Sequence, residues 1–374
     1  MAAATLAPAA APAGAAQIEG LTQPAQKNEI GGPAMASRSI VVNYPSAAAR
    51  RLPGVPASAY VIADADNGEV LAAKDPHGLY PPASTLKVLT AITMLPRLNP
   101  DATVVATKLA ASVEPNIVGL IPGHRYKVAD LFRALLLISA NDAAVSLVQA
   151  SGSFARGMAL LNAEAQHLQA YDVVAKQPNG LPAPGQVVSA YDLALIARQA
   201  LAMPAFMHYD STLAASFPLT RRKHVMLVNQ NYLLTRYRGG IGGKIGWTTK
   251  AEATYVGLAR RDGVTLIVTI LHCTPLQEIT SAERLLNWGF AMHGQVRPVG
   301  VLVPALTAAH PKTSKARPRA RGVAAVGSTL AGPGRSSQTG TLAAGAGIAA
   351  GLCAGIVASL AWLRRRRSVK RTAG

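Results

Sequence analysis

The sequence contains very little cysteine. Cys273 and Cys353 are the only two in 374 residues; the first lies in an apolar, strand-like stretch and the second in a hydrophobic segment near the C-terminus. We therefore expect no disulfide between them and a fold that does not depend on one. The histidines form no His-Glu-x-x-His pattern, and no Cys-x-x-Cys pattern is present. The sequence thus predicts no metal site and indicates no cofactor.

Acidic residues are also scarce, with 18 Asp and Glu against 37 Lys and Arg and a formal net charge of +19. This excess is unevenly distributed, because residues 297–374 hold 13 basic residues and no acidic one. Residues 1–296 keep 24 basic and 18 acidic residues, a net charge of +6. Nucleic-acid-binding domains concentrate positive charge on a folded surface rather than in a tail. We therefore expect no nucleic-acid partner.

Residues 1–37 are rich in Ala, Pro and Gly and have no basic residue before Lys27. A secretory signal combines a basic start with an unbroken apolar run, and prolines interrupt the run here. Two interpretations stay open for this segment: a degenerate export signal, or a disordered stretch without packed structure. We expect the globular domain to cover residues 38–298.

A linker and a membrane span are predicted after the globular domain. Residues 299–341 are mostly Pro, Ala, Gly and basic residues, which cannot form a packed core. Residues 342–363 carry no charge, and these 22 residues would form a helix of about 33 Å, enough to cross a bilayer core of about 30 Å. The basic tail 364–374 begins with four arginines, so the positive-inside rule predicts a single-pass cell-membrane protein with a cytoplasmic C-terminus and an extracellular globular domain. A buried helix is the alternative for the apolar run.

Three glycines, Gly347, Gly351 and Gly355, repeat on one face of this predicted span. Small residues at this spacing allow two membrane helices to pair. Because such patterns are common in membrane-spanning helices, the repeat supports only a weak dimer hypothesis. The same topology requires an export route, which the N-terminal segment does not clearly supply.

The middle of the chain alternates between strand and helix patterns. Residues 60–63 and 70–72 are β-formers on either side of Asn67-Gly68, the dipeptide most typical of a tight hairpin. The runs 254–258 and 264–271 flank Asp262-Gly263 in the same way. Helix-forming and helically spaced apolar residues predict helices at 86–95, 128–138, 143–150, 155–168, 190–202 and 276–292.

One short stretch, residues 81–89, combines a helix start with reactive side chains. Two prolines precede a run of helix formers, which places Ser84 near a helix N-terminus and Lys87 one turn further on. A serine becomes a strong nucleophile only when a base accepts its proton, and a lysine can be that base only if its pKa is lowered. The free N–H groups of a helix start also stabilise an oxyanion. Taken alone, the pair is equally compatible with an ordinary helix cap.

Two further pairs follow in order, Ser139-x-Asn141 after 55 residues and Lys244-x-Gly246 after another 105. This ordered set is typical of penicillin-binding proteins and serine β-lactamases. Over roughly residues 40–295 the chain resembles the D-alanyl-D-alanine carboxypeptidases, low-molecular-weight penicillin-binding proteins of the SxxK acyltransferase superfamily. The resemblance implies an α/β (α+β) fold of the β-lactamase/transpeptidase type. We expect a mainly antiparallel five-stranded sheet flanked by helices, a helical subdomain with the second motif, and the C-terminal transmembrane helix.

The activity that the resemblance implies is that of a serine-type D-alanyl-D-alanine carboxypeptidase. Such a hydrolase removes the terminal D-Ala from peptidoglycan stem peptides, binds β-lactam antibiotics covalently, and acts in peptidoglycan biosynthesis and cell shape. By position, Ser84 is the nucleophile that forms the acyl-enzyme and Lys87 is its base. Ser139 then passes a proton to the leaving amine, and Asn141 binds both the substrate amide and Lys87.

The resemblance assigns substrate binding to the third motif as well, at Lys244, Gly246, Trp247 and Thr248. Lys244 supplies positive potential for the substrate carboxylate. The oxyanion hole consists of the backbone N–H groups of Ser84 and Trp247. These assignments agree with what the reaction needs: a nucleophile, a base one helical turn away, a proton relay and a cation on an edge strand.

One residue departs from the family pattern, because Ile245 stands where the family usually has threonine. That hydroxyl ordinarily donates to the terminal carboxylate of the substrate. Carboxylate recognition must then be weaker, or rest on Lys244 and on Thr248 or Thr249. Losing one charge-assisted hydrogen bond costs about 1.5–3 kcal/mol, about ten- to a hundredfold in rate.

Three alternatives stay open at this stage. A serine β-lactamase shares the fold and the first two motifs, but the loop at 178–189 has no acidic residue to drive fast deacylation. A non-catalytic, membrane-tethered peptidoglycan-binding protein would account for the missing threonine, although the five polar motif residues are all present. Transpeptidase or endopeptidase activity uses the same chemistry, and the sequence does not separate it from carboxypeptidase activity.

Overall fold

The computed structural model describes residues 30–307. The strands of this part of the chain are β1 (Ile40–Val41), β2 (Ala57–Asp64), β3 (Glu69–Lys74), β4 (Thr103–Val105), β5 (Arg125–Lys127), β6 (Ala214–Pro218), β7 (His224–Val228), β8 (Gly240–Thr248), β9 (Glu252–Arg261), β10 (Val264–Cys273) and β11 (Gly300–Val301). Its α-helices are α1 (Lys87–Met94), α2 (Lys108–Ala111), α3 (Val128–Leu137), α4 (Asn141–Ala150), α5 (Phe154–His167), α6 (Ala190–Leu201), α7 (Pro204–Asp210), α8 (Leu233–Arg236) and α9 (Glu278–Met292). Two 3-10 turns cover Pro33–Ala36 and Ala83–Leu86.

The main sheet is antiparallel and runs in the order β1-β3-β2-β10-β9-β8, with β11 also paired to β3. Its long strands are β2, β3, β8, β9 and β10, which account for the expected sheet. The expected number of five is nevertheless wrong, because β1 and β11 add two residues each at the β3 edge. Two residues are too few for side-chain alternation to mark a strand.

Both predicted hairpins are confirmed. Between β2 and β3, Gly68 has a φ of 82°, and Asn67 Oδ1 accepts from the N–H of Glu69 at 2.8 Å. Between β9 and β10, Asp262 and Gly263 have φ values of 49° and 83°. Positive φ at both central positions is typical of a type I′ turn, whose twist matches that of the flanking strands.

Alternation along the central strands divides the core into two layers. Val61 and Ala63 of β2 pack in the cluster on the helical side of the sheet, which includes residues of α1 and α6. Tyr60 and Ile62 point the other way and pack in the cluster that includes the buried face of α9. This period of two is what a strand covered on both faces requires. The sheet therefore separates α9, together with the buried Leu233 of α8, from α1 and α6.

Helices α3 and α4 form the centre of the predicted helical subdomain. The second motif lies at their junction, where Ser139 has a φ of 62° and ends the helical path of α3. Helix α4 begins at Asn141, two residues before the predicted start. The helices predicted at 128–138, 155–168, 190–202 and 276–292 correspond to α3, α5, α6 and α9.

The packed part of the chain extends on both sides of the expected bounds 38–298. Met35 and Leu302 are fully buried, and Tyr191 donates its hydroxyl to the carbonyl oxygen of Val301 at 2.6 Å. Between residues 30 and 307, none of the helices has the length and apolar character that crossing a membrane requires. The predicted span and its three glycines lie outside the described residues.

Candidate active site

Ser84 lies in the 3-10 turn that opens α1. Two threonine hydroxyls fix this turn, because Thr85 and Thr254 donate to the carbonyl oxygen of Pro82 at 2.6 and 2.9 Å. Lys87 is the first residue of α1, and its Nζ lies 2.8 Å from Ser84 Oγ. The contact predicted from their spacing is present. The serine is partly exposed, whereas the lysine is fully buried.

Three oxygen atoms surround the amine of Lys87. Besides Ser84 Oγ, it contacts Asn141 Oδ1 at 2.7 Å and the carbonyl oxygen of Asn179 at 2.8 Å. The Asn141 amide is oriented by its Nδ2, which donates to the carbonyl oxygen of Glu114 at 2.8 Å. The two amide oxygens can only accept, while the serine hydroxyl can also donate. A neutral amine, with two hydrogens and one lone pair, matches this set.

The surroundings of Lys87 favour that neutral form. Burial lowers the pKa of Lys87 well below its ordinary value, the positive charge of Lys244 lowers it further, and the Asp142 carboxylate acts in the opposite direction. A lysine amine that is neutral at neutral pH can accept the proton of a serine. The pair Ser84 and Lys87 is therefore equipped for nucleophilic catalysis.

Strand β8 passes directly beside the nucleophile at Gly246. A Cβ atom at this position would lie 2.7 Å from the backbone nitrogen of Ser84 and 2.5 Å from Thr254 Oγ1, so only glycine fits without a shift. The close approach brings the β8 backbone at Gly246, one residue before Trp247, next to the N–H of Ser84. Two backbone N–H groups in such positions can form an oxyanion hole.

Lys244 lies on the same strand and is buried. Its Nζ donates to the carbonyl oxygen of Ile245 at 2.7 Å. Burial lowers the pKa of Lys244 to about 7, although the nearby Asp210 carboxylate favours the charged form. Asp210 is itself buried and accepts from the N–H of Gly243 at 2.6 Å. Burial raises the pKa of Asp210 to about 7, against the effects of Gly243 and Lys244.

The remaining predicted residues lie around this centre. Ser139 is buried, and its hydroxyl has no hydrogen-bond partner among residues 30–307. Asn141 holds Lys87, and its N–H donates to the carbonyl oxygen of Asn116 at 2.7 Å. The indole of Trp247 is 60% exposed. Thr248 Oγ1 accepts from the N–H of Ala251 at 3.0 Å in the turn after β8, so this hydroxyl is already engaged as an acceptor.

Comparison with known proteins explains this arrangement. Residues 46–274, more than half of the chain, match the family described as D-alanyl-D-alanine carboxypeptidase. The chain belongs to this family. It is thus a serine peptidase, as the ordered motifs predict.

Individual D-alanyl-D-alanine carboxypeptidases agree with the family match. The carboxypeptidase DacB2 of Mycobacterium tuberculosis is 39% identical over 250 residues, which cover 65% of this chain and 86% of that protein. A solved D-alanyl-D-alanine carboxypeptidase from the same organism is 37% identical, with a TM-score of 0.65 over 71% of this chain and 100% of the solved one. A mutant Streptomyces DD-transpeptidase is 27% identical, with a TM-score of 0.61 over 64% of this chain and 99% of its own. The transpeptidase-like fold is thereby confirmed.

The residue that departs from the carboxypeptidase pattern faces away from the helical layer. Ile245 is paired with Tyr255 across the sheet, and both pack in the cluster on the α9 side. Lys244 is paired instead with Val256, which packs in the cluster on the helical side. Because β8 is the last strand in the sheet order, position 245 lies beside an open strand edge.

Sequence reasoning missed three residues that shape this carboxypeptidase site: Asp142, Asn179 and Asp210. Asp142 is fully buried, and its carboxylate accepts from the N–H groups of residues 118, 119 and 120 at 3.1, 2.8 and 2.9 Å. The carbonyl of Asn179 acts through the backbone, which no residue type reveals. Asp142 directly follows the second motif, so its position was the one available indication.

A possible metal-binding set lies outside the active site, although the sequence predicts none. His77, Asp172 and Asp192 offer ligand atoms within 4.8 Å of one another. In the structure His77 Nδ1 lies 2.6 Å from Asp172 Oδ2, and its Nε2 lies 2.9 Å from the carbonyl oxygen of Ile30. Burial alone would lower the pKa of His77, but the hydrogen bond and charge of Asp172 raise it to about 8. The arrangement fits a hydrogen-bonded imidazolium that ties residue 30 to the domain.

Proposed function

We propose that this carboxypeptidase removes the terminal D-alanine from peptidoglycan stem peptides through an acyl-enzyme on Ser84. One observation carries the proposal: the buried amine of Lys87 lies 2.8 Å from Ser84 Oγ, with two amide oxygens that satisfy its own hydrogens. This geometry supplies a general base in its neutral form at the nucleophile.

In the acylation step, Lys87 accepts the proton of Ser84 as Oγ attacks the carbonyl carbon of the penultimate D-alanine. The negative charge on the carbonyl oxygen is stabilised by the backbone N–H groups of Ser84 and Trp247. The bond between this carbon and the nitrogen of the last residue then breaks. Ser139 gives its hydroxyl proton to that nitrogen and takes up the proton that Lys87 accepted from Ser84, so D-alanine leaves as the free amino acid and Lys87 is neutral again. The buried, unpartnered hydroxyl of Ser139 supports this relay role.

Deacylation regenerates the serine with water as the second substrate. The neutral amine of Lys87 accepts a proton from the water that attacks the ester carbonyl. The ester bond to Ser84 Oγ breaks, and the serine oxygen takes that proton back from Lys87. Each half-reaction therefore uses the same base and the same oxyanion donors, and neither requires a cofactor.

Substrate binding is assigned to β8 and to Asn141. The ammonium of Lys244 provides the positive potential for the terminal carboxylate, and Gly246 leaves room for the substrate against the strand. Thr248 keeps a hydroxyl hydrogen that can be donated, since its oxygen acts as the acceptor in the β8 turn. Asn141 holds the substrate amide as well as Lys87, whose amine already contacts its Oδ1.

The loop that faces Lys87 supports slow release of a bound β-lactam. From 178 to 189 the chain has no acidic residue, and it presents the backbone carbonyl of Asn179 to the lysine. Gly180 lies so close to Ala83 that an added Cβ would overlap the carbonyl oxygen of that residue. A deacylating carboxylate of the β-lactamase kind has no place here. We therefore expect penicillin to stay attached to Ser84.

Mass spectrometry of a stem pentapeptide incubated with the protein tests the proposal. We expect loss of one alanine residue from the peptide, and stable labelling of the wild-type protein by a fluorescent penicillin. Ser84→Ala should abolish both. Full activity of Ser84→Ala would refute the assignment, and rapid turnover of the penicillin would favour a β-lactamase. An added acceptor amine separates hydrolysis from transpeptidation, because only the latter yields a new peptide bond.

We also propose that the protein is anchored in the cell membrane by residues 342–363, with the catalytic domain on the outer side. The supporting observation is the charge-free run of 22 residues followed by four arginines. The test compares the full chain with a chain shortened after residue 307 by cell fractionation. We expect the full chain in the membrane fraction and the shortened chain outside it. The same distribution of the two chains between the fractions would contradict the proposed anchor.

A further inference from the structure

An arginine-rich pocket lies on the α9 side of the sheet. It has a volume of about 490 Å³ and is lined by residues of four segments, among them Arg50, Arg238, Arg261, Asp262, Asn287 and Phe290. The nucleophile and its base lie in the other layer, on the side of α1. The pocket is therefore separate from the peptidase site, and the reaction proposed above does not use it.

Four contacts hold the guanidinium of Arg261, one of the residues that line this pocket. Its guanidinium stacks on the rings of Tyr237 and Phe290, 4.3 and 4.8 Å from their centroids. Its Nε donates to the carbonyl oxygen of Arg238 at 2.8 Å, and its Nη1 donates to Asn287 Oδ1 at 3.1 Å. These contacts leave Nη2 without a hydrogen bond to the protein in the described part of the chain. A guanidinium fixed in this way loses little conformational freedom when it binds a ligand.

The polar groups around Arg261 are mostly donors. Asn287 Oδ1 already accepts hydrogen bonds from Arg261 and from the hydroxyl of Tyr237, the latter at 2.9 Å. The Nδ2 of Asn287 is therefore the group that can still bind a ligand, and it is a donor. Arg50 and Arg238 are exposed. Across residues 30–307 neither they nor Arg261 form an ion pair. Asp262 is the carboxylate of the lining. The imidazole of His293, which also lines the pocket, is paired with Asp64 at 2.6 Å.

We propose that this pocket binds a phosphate-bearing ligand. Three arginines against one aspartate leave two positive charges, which match a phosphate monoester dianion. Guanidinium groups bind phosphate through paired, directed hydrogen bonds, and such charge-assisted bonds are stronger than neutral ones. The volume exceeds that of the phosphate itself, so the rest of the ligand has room beside Phe290.

The experiment titrates the full chain with inorganic phosphate, with glycerol 3-phosphate and with dihexanoyl phosphatidic acid, by calorimetry in a phosphate-free buffer. The test variant is Arg50→Gln with Arg238→Gln, two exposed residues whose side chains hold no other element. The matched control is Arg221→Gln with Arg222→Gln on the β6–β7 turn, which removes the same charge from another exposed site. We expect saturable binding of one phosphate group, at least about tenfold weaker in the test variant and nearly unchanged in the control.

The same titration separates the two sources of a phosphate group. Tighter binding of glycerol 3-phosphate than of dihexanoyl phosphatidic acid, a lipid with the same phosphate monoester, assigns the pocket to a soluble phosphoester, and the reverse order assigns it to a lipid headgroup. Equal weakening in both variants would show unspecific charge attraction and overturn the proposal. So would the absence of saturable binding, or equal affinity for acetate. Peptidase activity should be unchanged in the test variant, so failure here leaves the proposed function untouched.

Discussion

Removing the charge of Asp210 without changing its shape tests how Lys244 stays positive inside the protein. Asp210 Oδ2 accepts from the N–H of Gly243, while its Oδ1 is buried with no hydrogen-bond partner in the part of the chain that the structure describes. Burial lowers the pKa of Lys244 to about 7, and the Asp210 carboxylate opposes this. Asparagine keeps the acceptor for Gly243 and removes the charge. We therefore expect Asp210→Asn to lower the pKa of Lys244 further.

The size of the effect follows from the proton equilibrium of Lys244. An opposite charge near a buried group shifts its pKa by about 1–3 units, and one unit corresponds to about 1.4 kcal/mol. Above its pKa, the charged fraction of a lysine falls about tenfold for each pH unit. With a shift of about one unit, affinity for the substrate carboxylate should be about tenfold weaker at about pH 8. At about pH 5 both proteins carry a charged Lys244, so their affinities should converge.

The assay measures binding of a stem pentapeptide between about pH 5 and pH 9, the range over which a lysine with a pKa near 7 titrates. Both proteins carry Ser84→Ala, which removes turnover and leaves binding alone. Asp101→Asn is the matched control, because this exposed aspartate lies outside the site. An unchanged pH dependence in Asp210→Asn would refute the coupling between Asp210 and Lys244. A loss of affinity that is equal at every pH would indicate a structural role instead.

Three further changes test other parts of the structure. Gly246→Ala should slow acylation by fluorescent penicillin about a hundredfold, because the new Cβ would lie 2.7 Å from the nitrogen of Ser84. The control Gly54→Ala, which adds a Cβ in open space, should leave the acylation rate unchanged. His77→Gln should lower the free energy of unfolding by about 2 kcal/mol below about pH 6.5 and by little above about pH 8. The reason is that His77, with its pKa raised to about 8, stabilises the fold only while it is protonated. Urea unfolding that gives the same loss at both pH values would contradict this. Ile245→Thr should raise carboxypeptidase turnover about ten- to a hundredfold, because the shorter side chain can leave the α9-side cluster in which Ile245 packs and donate from the open edge of β8. An unchanged rate would show that the missing hydroxyl is unimportant.

The sequence predicted the centre of the site because its geometry is local. Ser84 and Lys87 are three residues apart at a helix start, and a helix brings such a pair together whatever surrounds it. The two hairpins are local in the same sense, since Asn67-Gly68 and Asp262-Gly263 determine their own turn geometry. These features required no knowledge of how distant parts of the chain pack.

The groups that contact or charge-balance the two lysines of the site could not be predicted from local sequence. Asn179 acts on Lys87 through a carbonyl that every residue possesses, across 92 positions of sequence. Asp210 reaches Gly243 from α7, and residues 203–238, which contain α7, α8 and the β6–β7 hairpin, gave no clear pattern. Their elements are short, at four to seven residues, so periodicity has too little length to mark them. The two-residue strands of the sheet escaped prediction for the same reason.

Two positively charged lysines buried in one site would repel each other. The aspartate near each lysine distinguishes the two. The positive charge of Lys244 lowers the pKa of Lys87, so the structure needs one lysine neutral while the other binds an anion. Asp142, the carboxylate that favours a charged Lys87, already accepts four backbone N–H groups, which disperse its charge over the surrounding loop. Asp210 accepts one and leaves its second oxygen unpartnered, so its charge acts more fully on Lys244. The difference between the two aspartates supports the proposal that Lys87 is the base and Lys244 the cation, although both lysines are buried.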